Sequence, residues 1–362
     1  MKIIFTLDKP NLYGSERHVL GLIMGLKLNY DVEVVTFDSG PLLEKLTTHE
    51  IKYNVIKHSW LPSINTYRLF RLFNHLKPDV IHAHQPKAFF WSAIVARLLG
   101  IPCIITIHSL PSSNIQSYNS LMLKLLVGSF HYAVIFFSEI LANKIIYLSR
   151  FSFNTCAFKK KAIIIPNWID VYPQDHIEKN ETKFPLRFIS VGTVTYNKGM
   201  DRLIDCLVLI KEFDWQINIV GDGDAAYIQS LIDKCMAYGI SDRVKFLGYQ
   251  ENISKLLADA DVFILLSRGE TFGLVYIEAM VHGLTVVSWD IPVVKEIMPN
   301  GNIVLNNDMD IFKLFNEILI NPQKLSDQGV INRKFVLDKF QFQNVLINYK
   351  KLYDQVLFDN IH

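Results

Sequence analysis

The stretch Pro78–Ser109, "PDVIHAHQPKAFFWSAIVARLLGIPCIITIHS", decides the fold. Within it "DVIHAH" (Asp79–His84) and "PCIITIH" (Pro102–His108) are short, rich in β-branched residues and end in polar ones, the pattern of buried strands. Between them "AFFWSAIVARLLG" reads as a helix that stops at glycine. A strand, a crossover helix and another strand give a parallel pair, and parallel sheets need helices on both faces.

The same alternation runs outward in both directions. "KIIFTL" (Lys2–Leu7), "VEVVTF" (Val32–Phe37), "YAVIFFS" (Tyr132–Ser138) and "KAIIIPN" (Lys161–Asn167) read as further strands of this sheet. The apolar run "LMLKLLVGSFHYAVIFF" (Leu121–Phe137) reads as a helix, a turn at Gly128 and then the strand. It contains Lys124 and His131 and falls short of a bilayer span. The polar stretch Asp170–Lys183, with Pro173, reads as a linker, after which the pattern restarts. "LRFISVG", "WQINIVG", "RVKFLG", "VFILLS" and "LTVVSW" supply a second set of strands, and "FQFQNVLINYKKLYDQVLF" reads as one closing helix. The expected architecture is α/β: two doubly wound, Rossmann-like domains facing an interdomain cleft. Its divisions are residues 1–168, residues 169–339, and a terminal helix over 340–362 that crosses back to the first domain.

Length and composition agree with two cores, because single cores stop growing at roughly 250–300 residues. Half of the 362 residues are hydrophobic and a fifth are charged. Four scattered cysteines without a CxxC pair suggest neither a disulfide framework nor a zinc site. The apolar run before Asp8 is short for a signal peptide, so a cytoplasmic protein is expected. Residues 1–170 hold 18 Lys/Arg against 10 Asp/Glu, while the remainder holds 19 against 25. A basic first half suits an acidic acceptor or an anionic membrane surface, peripheral at its inner face. "FSFNTCAFKKK" (Phe151–Lys161) could touch such a surface. No nucleic-acid motif accompanies the charge.

Four groups of residues carry chemistry. "GTVTYNKG" (Gly192–Gly199) follows a strand and precedes a helix, so its glycines, the helix N-terminus and Lys198 could cradle a diphosphate. "IVGDGDAAYI" (Ile219–Ile228) matches a dinucleotide fingerprint, but the strand after it lacks the ribose-binding acid. "SRGETFGLVYIEAM" (Ser267–Met280) sets Glu270 and Glu278 around Phe272, Gly273 and Leu274, which should open a helix with outward amides. Carboxylates accept from paired hydroxyls, so the arrangement suits a nucleotide sugar. His82, His84 and His108 end adjacent strands; His82 reads as structural, His108 as facing a ligand, and no acid or cysteine completes a metal site.

In this order the blocks resemble the retaining glycosyltransferases of family 4, with the GT-B fold. "LYGSERHVLGL" resembles the N-terminal glycine loop, and Pro78–Ser109, "IIIPNWID", "FISVGTVTYNKGMDRLI", "INIVGDGD", "VKFLGY" and "SRGETFGLVYIEAMVHGLTVVS" follow in family order. The resemblance implies transfer of a sugar from a UDP- or GDP-linked donor to a glycan or lipid-linked glycan, in the biosynthesis of surface polysaccharide such as capsule or lipopolysaccharide. It gives Glu270 and His108 to the transferred sugar and Glu278 to the ribose. Lys198 and the amides of Phe272, Gly273 and Leu274 would hold the diphosphate, and Gly14 would let the first loop approach the donor. No metal or other cofactor is implied. Thr193 stands where the family usually has arginine, and Trp168 where glycine is usual. A nucleotide-sugar-binding subunit without turnover, or a nucleotide-sugar epimerase of the same fold, shares most of these residues.

Overall fold

The computed structural model describes residues 1–111, 121–170 and 184–361. Apart from Asp170, the expected linker lies outside them. The chain divides into two compact units, one formed by Met1–Asn167 with Gln343–His362, the other by Trp168–Phe342.

The first unit holds a seven-stranded, all-parallel sheet in the order β3-β2-β1-β4-β5-β6-β7. Its strands are β1 (Lys2–Leu7), β2 (Asp31–Thr36), β3 (Lys52–Val55), β4 (Val80–His84), β5 (Cys103–Ile107), β6 (Lys144–Tyr147) and β7 (Ala162–Ile164). Helices Gly14–Leu26, Ile64–Leu76 and Pro86–Leu99 make the longer crossovers. The central strands β4 and β5 are buried along their whole length, which explains their unbroken apolar runs. Gly100 ends the helix Pro86–Leu99 in the left-handed conformation, φ +69°, as a glycine cap should.

The second unit holds six parallel strands in the order β10-β9-β8-β11-β12-β13. They are β8 (Leu186–Val191), β9 (Trp215–Val220), β10 (Val244–Phe246), β11 (Val262–Leu265), β12 (Thr285–Trp289) and β13 (Ile303–Leu305). Both sheets therefore reverse direction beside their first strand, at β1/β4 and at β8/β11. Ligands of such sheets bind at the carboxyl ends of the strands flanking that reversal.

Two local expectations are corrected. Tyr132–Ser138 is not a strand, and Gly128 makes no turn: Leu121–Leu141 is one helix, packed against Pro86–Leu99. Ser138 therefore does not end a strand; its hydroxyl donates to the Val134 carbonyl one turn back, 2.6 Å away. The strand at that place in the sheet is β6, "KIIY". The closing helix begins at Phe342, because Gln341 is extended (φ −67°, ψ 136°) and separates it from the helix Gln323–Phe340. Trp168 packs its ring 5.3 Å from that of Phe342, which gives the unexpected tryptophan a place in the core of the second unit.

Candidate functional site

The second unit builds its site from two strand ends at the β8/β11 reversal. After β8 the chain turns through Gly192–Gly199 and enters the helix Met200–Leu209. Gly199 sits at φ +68°, and a Cβ there would lie 1.9 Å from the Leu266 carbonyl oxygen. Only glycine lets this turn close onto the end of β11. The two turns are then tied together. The Arg268 amide donates to the Asn197 carbonyl at 2.8 Å, the Arg268 guanidinium pairs with Asp201 at 2.6 Å, and the same guanidinium stacks over Tyr196 at 3.5 Å.

That clasp brings Lys198 and Glu270 together. Lys198 Nζ lies 2.6 Å from Glu270 Oε1, which also accepts from the Ser267 hydroxyl at 2.8 Å. The carboxylate side chain is only 9% exposed and the lysine 21%. Asn197 lies beside them with a buried side-chain oxygen that has no hydrogen-bond partner. Burial, reinforced by the Glu270 charge, pushes the Tyr276 phenol well above its ordinary value, and its hydroxyl donates to the Leu265 carbonyl.

Beyond Glu270 the helix Leu274–Val281 starts from Gly273, at φ +86°, with no side chain capping it. Its first amides are therefore open to an anion. Phe272 is buried, edge-on to Phe340 at 5.6 Å, and anchors the turn before the helix. Glu278 stands half-buried on this helix. Thr193 is exposed at the mouth of the glycine turn. The glycines of the dinucleotide-like motif have a packing role instead: a Cβ at Gly221 would meet the Gly192 carbonyl at 2.0 Å, and one at Gly223 the Val194 carbonyl at 2.2 Å.

The first unit gathers its histidines at the β1/β4/β5 strand ends. His82 is satisfied on both nitrogens, by Tyr353 and by Thr106, each at 2.7 Å. His84 Nδ1 and His108 Nε2 are 2.8 Å apart and share one hydrogen bond, while the other nitrogen of His84 is buried without a partner. His18 faces His108 edge-on at 4.8 Å and is held by Asn167 at 2.7 Å and Tyr349 at 3.1 Å. Burial, helped for His82 by the neighbouring His108, pushes both of these rings down to about 3. Burial and adjacent rings hold His18 and His84 well below the ordinary value too. All four are neutral imidazoles at physiological pH. Gly14 opens the helix Gly14–Leu26 that carries His18. Among the described residues no group of three or more His, Cys, Asp or Glu is placed to hold a metal ion.

Sequence reasoning singled out Lys198, Glu270, His82, His84 and His108, and missed their supports. His18 lies one turn into a helix after the glycine loop, a weak signal. Tyr349 and Tyr353 are spaced by four on the last helix, and their partners are hundreds of residues away in sequence.

Comparison with known proteins places this architecture. Residues 13–172 match the family described as Glycosyltransferase Family 4, and residues 185–320 match Glycosyl transferases group 1. An uncharacterized glycosyltransferase of Methanocaldococcus jannaschii, MJ1178, is 25% identical over 378 residues, covering 98% of this chain and 99% of its own. The O-antigen biosynthesis glycosyltransferase WclY of Escherichia coli is 23% identical over 377 residues, covering 99% and 100%. Among solved structures, Anabaena Alr3699/HepE in complex with UDP-glucose superposes with a TM-score of 0.80 at 20% identity, over 98% of this chain and 100% of its own. The chain belongs to the group 1, family 4 glycosyltransferases and has their GT-B fold.

Proposed function

We propose that the protein is a retaining hexosyltransferase that moves a sugar from a UDP- or GDP-linked donor to a glycan or lipid-linked glycan in surface polysaccharide biosynthesis. The observation that carries this reading is the Lys198–Glu270 pair at the β8/β11 reversal, beside an uncapped helix N-terminus. A cation and free amides suit a diphosphate, and a carboxylate held next to them suits sugar hydroxyls. The UDP-glucose bound by HepE and the O-antigen role of WclY support the donor and acceptor classes.

In this reading Lys198 and the amides of Phe272, Gly273 and Leu274 take the diphosphate, Glu278 the ribose and Glu270 the transferred sugar. Gly14 gives the donor room, and His108 meets the sugar as a neutral ring, oriented through His84. Departure of the diphosphate builds negative charge on its oxygen and positive character at the anomeric carbon. Fixed donors stabilise the first most where water is excluded. The departing phosphate then takes the acceptor's proton as the acceptor attacks from the same face, so Glu270 positions and does not form a covalent bond. The charge is met by protein groups, so the proposal needs neither a metal nor another cofactor. A second reading, a donor-binding subunit without turnover, is favoured by one observation: exposed Thr193 stands at the place of a second cation.

The test is titration with UDP-, GDP- and ADP-sugars, following binding heat and slow release of nucleoside diphosphate. Glu270→Ala and Glu278→Ala are run alongside. One donor that binds and releases its diphosphate, with release lost in Glu270→Ala and binding weakened in Glu278→Ala, supports the transferase. Binding that survives both substitutions sinks the site assignment, and binding without release in the presence of any acceptor favours the silent subunit. The anomeric configuration of the product, read by NMR, checks retention.

A further inference from the structure

The hydrogen bond between His84 Nδ1 and His108 Nε2, 2.8 Å long, holds one proton between two rings. Burial keeps both imidazoles neutral at neutral pH, so two protons are distributed over their four nitrogens. Two arrangements satisfy that count. In the first, His108 Nε2–H donates, His84 accepts on Nδ1, and His84 has to carry its own proton on Nε2. In the second, His84 Nδ1–H donates, His108 accepts on Nε2, and His108 has to carry its own proton on Nδ1.

The two outer nitrogens have different surroundings. His84 is fully buried, and its Nε2 has no hydrogen-bond partner. Its ring stacks on Phe5 at 6.0 Å and lies 4.3 Å from the ring of His82, whose own nitrogens are both taken by hydroxyls. His108 is partly exposed, and its Nδ1 makes no hydrogen bond among the described residues. A buried N–H without an acceptor is the rarer and costlier orphan, whereas an unused acceptor is tolerated more often. The first arrangement creates that orphan at His84. The second leaves only a lone pair there and puts the spare N–H on the partly exposed ring. His18 does not alter the count: its nitrogens face Asn167 Oδ1 at 2.7 Å and the Tyr349 hydroxyl at 3.1 Å, so it meets His108 only edge-on.

We propose that His84 is a positioning residue that donates from Nδ1 and so fixes His108 as the Nδ1–H tautomer, able to donate a hydrogen bond to a bound sugar and unable to accept one. A sugar group that donated to His108 would need the lone pair on Nδ1. That need sends the second proton to His84 Nε2, where nothing receives it. The group meeting His108 therefore has to offer a lone pair. A hydroxyl oxygen or the carbonyl of an acylated amino sugar qualifies, and the ammonium group of a free amino sugar does not. This choice of sugar group rests on the transferase reading; the tautomer itself does not.

Nitrogen-15 NMR of the full chain, labelled at histidine, tests it without any donor present. Long-range proton–nitrogen correlations read which nitrogen of each ring carries hydrogen, and His84→Asn and His108→Gln assign the signals. At neutral pH both His84 and His108 should be protonated on Nδ1 and bare on Nε2. His84→Asn, whose amide donates from the same place, should keep the His108 tautomer. His84→Leu, which offers neither donor nor acceptor, should release it, and the His108 signals should move to the average of two tautomers. With a sugar donor that turns over, kcat/KM should fall by about tenfold in His84→Leu, the effect of one hydrogen bond, and by less in His84→Asn. Thermal melts check that the variants fold, and the spectrum of the parent chain decides the tautomer even if one does not. His108 protonated on Nε2 in the parent, or His108 signals unchanged in His84→Leu, would overturn the proposal. The expected tautomers in a chain that releases no diphosphate from any donor would uphold the assignment and count against the transferase reading alone.

Discussion

Lys198 and Glu270 are each other's counter-ion, 2.6 Å apart across two turns that are otherwise joined by main chain and by Arg268. A donor that places phosphate on the lysine and hydroxyls on the carboxylate has to part them. Under the proposed function the pair would trade one set of charge-assisted contacts for another.

Lys198→Ala removes the only one of the two groups able to follow the leaving diphosphate. Turnover is expected to fall by about 10²–10³, the usual effect of losing one such donor. Glu270→Gln should do the opposite to the free nucleotide: UDP or GDP alone should bind at least as tightly as to the parent, since the lysine loses a competing carboxylate. Calorimetry on both variants checks this. Weaker nucleotide binding in Glu270→Gln would show that the pair serves as a brace and not as a ligand site.

Thr193→Arg restores a second cation at the mouth of the glycine turn. It should tighten nucleoside diphosphate binding by about fivefold, the effect of roughly 1 kcal/mol from a partly exposed charge. The gain should shrink with salt. No gain at low salt would mean that the phosphates lie out of reach of position 193.

Gly199→Ala and Gly239→Ala form a matched pair, because both glycines have φ near +69°. At Gly239 a Cβ meets nothing within 4 Å, while at Gly199 it runs into the Leu266 carbonyl. Gly239→Ala should cost only the backbone strain, about 1 kcal/mol. Gly199→Ala adds a clash that must push two turns apart, so a loss of roughly 3 kcal/mol or more is expected, together with loss of nucleotide binding. Denaturant melts of the two variants give the comparison; equal losses would show that the turns move freely.

Acid should unfold the first unit ahead of what its carboxylates alone would dictate. His82 and His108 titrate near 3 when folded, but near 6.5 when unfolded. Below 6.5 the unfolded chain binds protons that the folded one refuses. The stability is complete above pH 6.5 and declines as pH falls towards 3. The slope of unfolding free energy against pH near pH 5 should correspond to between about two and four protons, two from His82 and His108 and the rest from His18 and His84. A flat profile from pH 7 to 5 would show that water reaches the rings.

The strands β1, β2, β4, β5, β7, β8, β9, β10, β11 and β12 were legible because each lies in a short apolar run between turn signals. The edge strand β3, "KYNV", was not: three of its four residues are exposed, so it has no apolar run to read. The helix Leu121–Leu141 misled for the opposite reason. It is apolar on its outer face as well as its inner one, and periodicity cannot tell such a run from a strand. In the site, the residue types that bear charge were legible and their orientation was not. Whether Glu270 would meet Lys198, and whether His84 or His82 would reach His108, depends on which strands neighbour one another. A single chain read in order does not display that adjacency.

The contacts of Gly199 with Leu266, Gly221 with Gly192 and Gly223 with Val194 share one property: each is backbone against backbone. The turns around Lys198 are therefore seated on main chain at these three points, and a Cβ at any of them would displace the backbone there. The Thr193 side chain, exposed at the rim, is under no such restraint. Under the proposed function, substrate preference could thus be changed by exchanging rim residues one at a time while the main chain beneath them keeps its course.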